Sequence, residues 1–243
     1  MFIQIKNLTK SFNKYLAVNN INFNIEKNNT VGLLGPNGCG KTTTIGMILG
    51  LVTPSKGEII IENKNINEIS RDKILKRFNF ASPYVELPKK LTVKQNLEIY
   101  GRLYGIENLN NRIHEISEDL DIKKFFTRKT GELSSGQKNR VSLAKSLINK
   151  PEILLLDEPT ASLDPDIGDF IRSYIQDYKS KNKITILLAS HNMNEVRRLC
   201  DSVIMMRQGK IIDSGTCEGL IKKHGRNNLE ETFLKLARSK DEF

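Results

Sequence analysis

The feature that most limits the possible folds is a strand, a glycine-containing loop and a helix that follow one another near the N-terminus. The run "TVGLL" has the length and apolar composition of a buried strand. The run "KTTTIGMILGLV" places Ile45, Ile48 and Leu49 on one face of a helix. This arrangement predicts an α/β fold with a parallel core sheet.

The loop between this strand and this helix carries a phosphate-binding pattern. The pattern G-x-x-x-x-G-K-S/T is matched in "GLLGPNGCGKTTT" by Gly35, Gly40, Lys41 and Thr42. The glycines let the chain form a nest of backbone N–H groups around phosphates, and the helix N-terminus adds its dipole. We expect Lys41 to reach the β and γ phosphates of a nucleotide, the Thr42 hydroxyl to bind Mg²⁺, and Thr43 to hydrogen-bond a phosphate oxygen.

Two further apolar runs end in polar side chains. In "PEILLLDEPTASLDP", residues 153–156 are predicted to form a buried parallel strand that ends at Asp157 and Glu158. Ligand sites in parallel sheets lie at the carboxyl ends of strands, so one carboxylate can hold Mg²⁺ and the other can orient or deprotonate a water. The alternative is a solvated acidic turn, and the upstream phosphate loop favours the functional interpretation. The strand "ITILLAS" brings His191 to the same edge, where a purely structural histidine is the alternative.

The stretch "ELSSGQKNR" holds no nucleophile, acid-base pair or metal-ligand cluster, yet it opens a predicted helix. An apolar helical face follows it and is formed by Val141, Leu143, Ala144, Leu147 and Ile148. Ser134 and Ser135 are suitable N-cap residues, and Gly136 leaves room for close approach to the backbone N–H groups. Taken alone, the stretch is either an anion site or a plain capped helix.

Length and composition set the outer limits. A chain of 243 residues fits one large α/β domain with an inserted subdomain. No run approaches the roughly 18 apolar residues of a membrane span, and "MFIQIKNLTK" begins like a strand, so we expect a cytoplasmic protein. Cys39, Cys200 and Cys217 are odd in number and widely spaced, which argues against a disulfide framework or a zinc site.

The charge balance is basic, with 38 Lys and Arg residues against 28 Asp and Glu residues and a net charge of +10. This excess favours an anionic partner such as nucleic acid, an acidic membrane surface or nucleotide phosphates. Because the basic residues form no long block, we expect no dedicated nucleic-acid binding.

Taken in order, these motifs resemble those of the ATP-binding cassette (ABC) family of ATPases over nearly the whole chain. They read as Walker A at Gly35–Thr43, the signature at Leu133–Gln137, Walker B at "ILLLDE", the D-loop at Ser162–Pro165 and the H-loop at His191. The resemblance implies a P-loop NTPase fold with a parallel core sheet, an N-terminal antiparallel β subdomain and an inserted helical subdomain. It implies one ABC ATPase domain over residues 1–243, with the helical subdomain at 84–148 and a short helical tail at 216–243.

The same resemblance assigns site residues, with ATP and Mg²⁺ as the cofactors. It gives catalytic roles to Lys41, Glu158 and His191, and Mg²⁺ binding to Thr42 and Asp157. The residues that it implies for ATP binding are Phe12, Gly35, Pro36, Asn37, Gly38, Cys39, Gly40, Lys41, Thr42, Thr43, Ser134, Ser135, Gly136, Gln137 and Asp164.

Two of these residues carry further expectations. Phe12 matches the aromatic residue that stacks on adenine in this family, and Tyr15 is a neighbouring candidate for the same role. Cys39 lies inside the phosphate loop, so its thiol is expected to report on nucleotide binding.

The signature stretch gains a role from the resemblance. In this family the signature of one subunit closes over the ATP held by the Walker A motif of another, so Ser134 and Gly136 act in trans. ATP then joins a head-to-tail homodimer with two shared sites, and hydrolysis releases it. Ser135 replaces the commoner second glycine of the signature and adds only a hydroxymethyl group.

One loop departs from the family pattern. Relatives place a glutamine after the strand "FNFA" to touch Mg²⁺ and sense the permease, whereas this chain has Ser82 and Pro83. Gln95 lies beyond the loop on a predicted helix and does not replace that glutamine. Either catalysis proceeds without the glutamine or this site is slow.

The flanking segments suggest the partners. Tyr84, Val85 and Leu87 either form an apolar docking surface or pack inside the helical subdomain. In the tail, an amphipathic helix is predicted from Leu229, Phe233, Leu234 and Leu236. This ending resembles ATPases that serve ABC-2 export permeases.

The resemblance therefore favours the ATPase subunit of an ABC transporter, as an exporter that dimerises and docks on separate membrane permease subunits. Such a protein sits on the cytoplasmic face of the inner or plasma membrane. A soluble cassette ATPase of the iron-sulfur assembly type and a nucleotide switch with little turnover are the alternatives. The transported substrate is set by the permease, so this sequence does not specify it.

Overall fold

The computed structural model describes residues 1–68, 73, 76–83 and 85–238 of the 243-residue chain. The strands are β1 (Ile3–Phe12), β2 (Tyr15–Ile25), β3 (Thr30–Leu34), β4 (Lys56–Ile61), β5 (Lys64–Asn65), β6 (Phe78–Ala81), β7 (Ile153–Asp157), β8 (Thr185–Ser190), β9 (Ser202–Arg207) and β10 (Lys210–Gly215). The helices are α1 (Lys41–Ile48), α2 (Val93–Leu103), α3 (Leu109–Asp119), α4 (Ser135–Leu147), α5 (Pro165–Asn182), α6 (Met193–Leu199), α7 (Cys217–His224) and α8 (Leu229–Arg238).

These elements fall into two compact units. The first unit contains residues 1–71 and 185–243, and the second contains residues 72–184. The first unit therefore carries the phosphate loop and His191, and the second carries the signature stretch and the two carboxylates that follow β7.

An antiparallel sheet forms the N-terminal part of the first unit, with the strand order β2-β1-β4-β5. Alternate apolar side chains of β1, namely Ile3 and Ile5, are buried, which is the pattern of a strand with one face on a core. Ile3 pairs with Ile25 of β2 on one side and with Ile61 of β4 on the other. The central strand thus holds both neighbours through apolar cross-strand contacts.

Parallel pairing builds the rest of the first unit. Strand β3 pairs in parallel with β8 and with β9, and β10 adds to β9 in the antiparallel direction. Every residue of β3 and β8 is buried, as expected for central parallel strands. The backbone N–H of Thr30 donates to Asp201 Oδ2 at 2.7 Å, which joins the start of β3 to the turn before β9.

The tail helix α8 packs on the first unit through one face. Leu229, Phe233 and Leu236 are buried in a cluster that includes Leu34 of β3. Leu234 is 40% exposed, so the expectation that it joins the apolar face was wrong. Its position in the helix turns it away from the side that carries the other three.

The second unit combines the parallel pair β6 and β7 with helices α2, α3, α4 and α5. Strand β6 pairs with β7 so that Phe78 lies opposite Ile153 and Ala81 lies opposite Leu156. Arg112 of α3 is buried, and its guanidinium donates to the carbonyl oxygens of Leu147 and Ile148 at the end of α4. A buried cation at a helix C-terminus satisfies carbonyl groups that lack partners within the helix.

Helices α2, α3 and α4 lie within the segment predicted as a helical subdomain, at residues 84–148, and α7 and α8 lie within the predicted tail. The domain boundaries themselves stay a prediction. No helix within the described ranges combines the length and the apolar composition that a membrane span requires.

Candidate functional site

The phosphate loop of the first unit joins the end of β3 to the start of α1. Gly35 is packed so closely that an added Cβ would contact Met206 O and lie 2.5 Å from Cys39 Sγ. Gly40 has φ 106°, and an added Cβ would lie 2.6 Å from Ala17 O. Larger residues would not fit at these two positions because of these close contacts. Gly40 also has a left-handed backbone conformation that favours glycine.

The Lys41 side chain folds back onto this loop. Its Nζ donates to Gly35 O at 2.8 Å and to Pro36 O at 3.2 Å, and its side chain is buried. The ammonium group therefore ties two loop carbonyl oxygens together and brings a positive charge to the loop. That placement is suited to an anionic ligand on the loop.

The rim of the loop is open to solvent. Pro36, Asn37, Gly38 and Thr42 are exposed, whereas Cys39 is only 2% exposed. The Cys39 thiol lies inside the loop and packs behind Gly35, and its expected report on nucleotide binding stays a prediction. The backbone N–H of Cys39 donates to Pro36 O at 3.3 Å, and this turn directs the thiol inward.

Two aromatic residues lie opposite each other in the hairpin between β1 and β2. The Phe12 ring is 47% exposed, and Lys10 Nζ lies 4.8 Å from its centroid. Tyr15 is 60% exposed, and its hydroxyl donates to Gly38 O at 3.2 Å. Both rings are available for stacking, and only Tyr15 has a described hydrogen bond to the phosphate loop. Adenine stacking by Phe12 stays a prediction.

His191 follows β8 and is exposed at the start of the turn into α6. The turn is fixed by Ser190, whose hydroxyl donates to Glu195 Oε2 at 2.6 Å and accepts from Asn192 N at 3.0 Å. The Asn192 side chain caps α6 by accepting from Asn194 N and Glu195 N. Sequence reasoning missed these positioning residues, although an Asn with a Glu three residues later is a recognisable helix start.

In the second unit, β7 carries two carboxylates at its end. All five residues of β7 are buried, Asp157 is 2% exposed, and Glu158 is 6% exposed. Glu158 has φ 54°, a left-handed conformation that is uncommon for a non-glycine residue. The chain therefore leaves the strand through a strained turn that fixes where the Glu158 carboxylate is held.

The signature stretch starts helix α4, as predicted. Ser134 is the N-cap, and its hydroxyl accepts from Gln137 N at 3.3 Å while Gln137 Oε1 accepts from Ser134 N at 3.1 Å. Ser134 and Ser135 are exposed. Gly136 is buried, and a Cβ there would overlap Ile167 of α5, so this glycine also permits close helix packing.

A buried bond within the second unit joins the signature helix to the turn after Glu158. Asn139 Nδ2 of α4 donates to Pro159 O at 2.7 Å. Asn139 was not identified from the sequence, because a single asparagine on a helix gives no sign of a carbonyl partner 20 residues away. The D-loop follows this turn, and Asp164 is exposed at the N-cap of α5.

The loop that departs from the family pattern follows β6. Because Ala81 lies opposite Leu156, Ser82 lies next to Asp157 in the register of the two strands. Ser82 is buried, Val85 is 51% exposed, and Leu87 is partly exposed. Tyr84 lies outside the described residues. This loop, the signature helix and the D-loop line a cavity of about 330 Å³.

Comparison with known proteins identifies the family. The family model described as ABC transporter matches residues 18–161. The ABC transporter ATP-binding protein NatA of Bacillus subtilis (strain 168) is 36% identical over 220 residues, which cover 90% of this chain and 89% of that protein. The osmoprotectant import ATP-binding protein OsmV of Salmonella typhimurium is 33% identical over 91% of this chain, which spans 60% of that protein's length. The Nod factor export ATP-binding protein I of Burkholderia lata is 34% identical over 90% of this chain and 72% of its own length.

Solved structures agree with this assignment. An ATP-binding subunit of an ABC transporter has a TM-score of 0.89 over 98% of this chain and all of its own, and at 23% identity it shows the shared fold. The dimeric cassette MJ0796, in a post-hydrolysis state with ADP and Pi, has a TM-score of 0.80, is 27% identical, and covers 88% of this chain and 98% of its own. The chain belongs to the ABC transporter family and is an ATP-binding, ATP-hydrolysing subunit with the ABC ATPase P-loop fold.

Proposed function

We propose that the residues identified from the sequence perform the ATPase reaction of this chain. Lys41 neutralises the β and γ phosphates, and Glu158 orients or deprotonates the attacking water. His191 acts as the H-loop histidine. The observation that supports the role of Glu158 is its burial directly after β7 in a left-handed turn, since a fixed carboxylate can be aligned with a water. The similarity of MJ0796 with ADP and Pi supports hydrolysis by the same fold.

Mg²⁺ fits the donor set of this chain. Thr42 offers an exposed hydroxyl in the first turn of α1, and Asp157 offers a carboxylate at the end of a buried strand. Both are hard oxygen donors, which Mg²⁺ prefers. When bound with ATP, the ion would neutralise charge on the phosphate oxygens.

The working form proposed for this chain is an ATP-dependent head-to-tail homodimer on membrane permease subunits. The exposure of Ser134 and Ser135 at the start of α4 supports a role toward the ATP of a second copy. Asp164 of the D-loop is exposed as well. The dimeric state of the solved cassette MJ0796 is consistent with this arrangement.

The proposed direction of transport is export, from the cytoplasmic face of the membrane. The likeness of the tail to ABC-2 ATPases and the similarity to the Nod factor export ATP-binding protein support this direction. The exposed Val85 and the partly exposed Leu87 beside the Ser82 loop support permease docking there. The osmoprotectant import ATP-binding protein is 33% identical to this chain, nearly the same as the export protein, so the direction of transport requires an experimental test.

Cell fractionation tests the permease and the direction together. Wild type should sediment with membranes and be released when Val85 and Leu87 are replaced by Asp, whereas an Asp at exposed Lys210 should leave sedimentation unchanged. In cells that carry only Glu158→Gln, the exported compound should accumulate inside relative to wild-type cells. Wild-type protein that stays in the supernatant while the membranes sediment contradicts docking. A transported compound that is depleted inside Glu158→Gln cells relative to wild-type cells contradicts export.

A further inference from the structure

Strand β6 has unusual partners along its second edge. Within the described ranges it pairs with β7 alone, so the carbonyl groups on its other edge need partners that are not strands. Side chains from the end of the signature helix and the residues after it fill this role. Lys145 Nζ donates to Phe80 O at 3.2 Å, and Asn149 Nδ2 donates to Phe78 O at 3.2 Å.

Further bonds make these contacts a network. Asn79 Nδ2 donates to Asn149 Oδ1 at 2.9 Å, and Asn79 Oδ1 accepts from Phe80 N at 2.8 Å. Lys145 Nζ also lies 3.4 Å from Asn79 Oδ1 and 5.3 Å from the centroid of the Tyr100 ring on α2. The ammonium group is thus enclosed by β6, α4 and α2, where charge-assisted hydrogen bonds are stronger than they are in water.

The two elements joined by this network lead to two different functional loops. Strand β6 runs directly into Ser82 and Pro83, and helix α4 begins at the exposed Ser134. Lys145 is 11 residues from Ser134, so the rigid helix carries its position over about 16 Å. Under the proposed function, the first loop serves the site of its own subunit and the second serves the ATP of the partner.

We propose that Lys145 is a positioning residue that fixes the strand leading to Ser82 against the helix that begins at Ser134, with Asn149 and Asn79 in support. The roles of the two loops rest on the proposed function. The link between β6 and α4 rests on the hydrogen bonds alone. The Ser82 loop follows directly after this strand. A link through the strand itself keeps that loop and the signature helix in one arrangement during turnover.

The test compares three variants. Lys145→Met keeps an unbranched side chain one atom shorter and removes the donor. Lys145→Arg keeps the cation and its donors, and Lys150→Met is the matched control at an exposed lysine. Steady-state hydrolysis should show kcat about tenfold lower in Lys145→Met with KM for ATP changed less than about twofold, because the phosphate loop is untouched. Lys145→Arg should recover kcat to within about threefold of wild type, and Lys150→Met should match wild type.

Hydrogen–deuterium exchange without nucleotide tests the link independently of ATPase activity. A peptide covering residues 76–83 should exchange faster in Lys145→Met and unchanged in Lys150→Met. If Lys145→Met does not fold, Asn149→Ala removes the bond to Phe78 O and should raise exchange in the same peptide. Unchanged exchange in both Lys145→Met and Asn149→Ala overturns the link. Faster exchange with wild-type kcat overturns the positioning role, whereas loss of membrane sedimentation in wild type would contradict only the proposed function.

Discussion

At the scale of single residues, the phosphate loop shows how one side chain serves both the fold and the ligand. Lys41 Nζ donates to two carbonyl oxygens of its own loop, at Gly35 and Pro36. A ligand phosphate would compete for the same donors, and the ammonium has three of them. Removing this side chain therefore costs the loop its internal support in addition to the charge that faces the ligand.

Replacing Lys41 by Ala should weaken ATP binding at least about 100-fold, or roughly 2.7 kcal/mol, because a charge-assisted contact to phosphate is lost. Isothermal titration calorimetry with Mg-ATP measures the change, and Lys210→Ala on the exposed surface of the first unit is the control. An affinity in Lys41→Ala equal to that of the control would remove Lys41 from the binding site.

The buried thiol of Cys39 gives a second prediction at this scale. Because the side chain is 2% exposed, iodoacetamide should label it at least about tenfold more slowly in the folded protein than in urea. Mg-ATP should slow the labelling further, since ligand binding disfavours the loop opening that labelling requires. Mass spectrometry of the Cys39 peptide measures both rates. Equal rates in folded and unfolded protein would contradict the packing of this thiol behind Gly35.

At the scale of elements, the sequence predicted best what local patterns determine. Ile45 and Ile48 of α1 are buried as the helical spacing indicated, and α4 begins at the cap that Ser134 forms. The contacts of Asn139 and Lys145 were not predictable, because each donates to a main-chain carbonyl that is distant in sequence. Such partners depend on how elements pack, and neither residue type nor spacing encodes them.

The largely enclosed amine of Lys145, a residue that is partly exposed as a whole, predicts a pH dependence of stability. Burial lowers the pKa of Lys145 from 10.5 to about 8. Between pH 8 and 10.5 the unfolded chain holds a proton that the folded protein has released, so the free energy of unfolding rises with pH over this range. The slope has an upper limit of about 1.4 kcal/mol per pH unit.

Urea unfolding of wild type and Lys145→Met at several values between pH 7.5 and 10 isolates this contribution. The stability of wild type relative to Lys145→Met should increase as pH rises, because only wild type loses the cost of a buried charge. Lys150→Met, at an exposed lysine, should follow wild type. Parallel curves for wild type and Lys145→Met would show that the Lys145 amine titrates at its ordinary pKa.

At the scale of the whole molecule, the residues proposed to bind phosphate and those proposed to activate water lie in different units. The first unit carries the phosphate loop and His191, and the second carries Glu158 and the signature helix. Within the second unit, the bond from Asn139 to Pro159 joins the signature helix to the turn that holds Glu158. A movement of the signature helix would therefore move the turn that positions the Glu158 carboxylate, which is proposed to activate water.

Glu158→Gln should separate ATP binding from hydrolysis and trap the proposed homodimer. The amide keeps the shape of the side chain but is a poor base, so kcat should fall about 100-fold or more, equivalent to about 2.7 kcal/mol of transition-state stabilisation. Since ATP then persists between the subunits, gel filtration with ATP should show a dimer, and ADP should give a monomer. Combining Glu158→Gln with Ser134→Arg, which places a bulky side chain at the exposed signature serine, should restore the monomer while Kd for ATP stays within about threefold. A monomer of Glu158→Gln at saturating ATP, with wild-type turnover, would remove both the catalytic role of Glu158 and the ATP-dependent dimer.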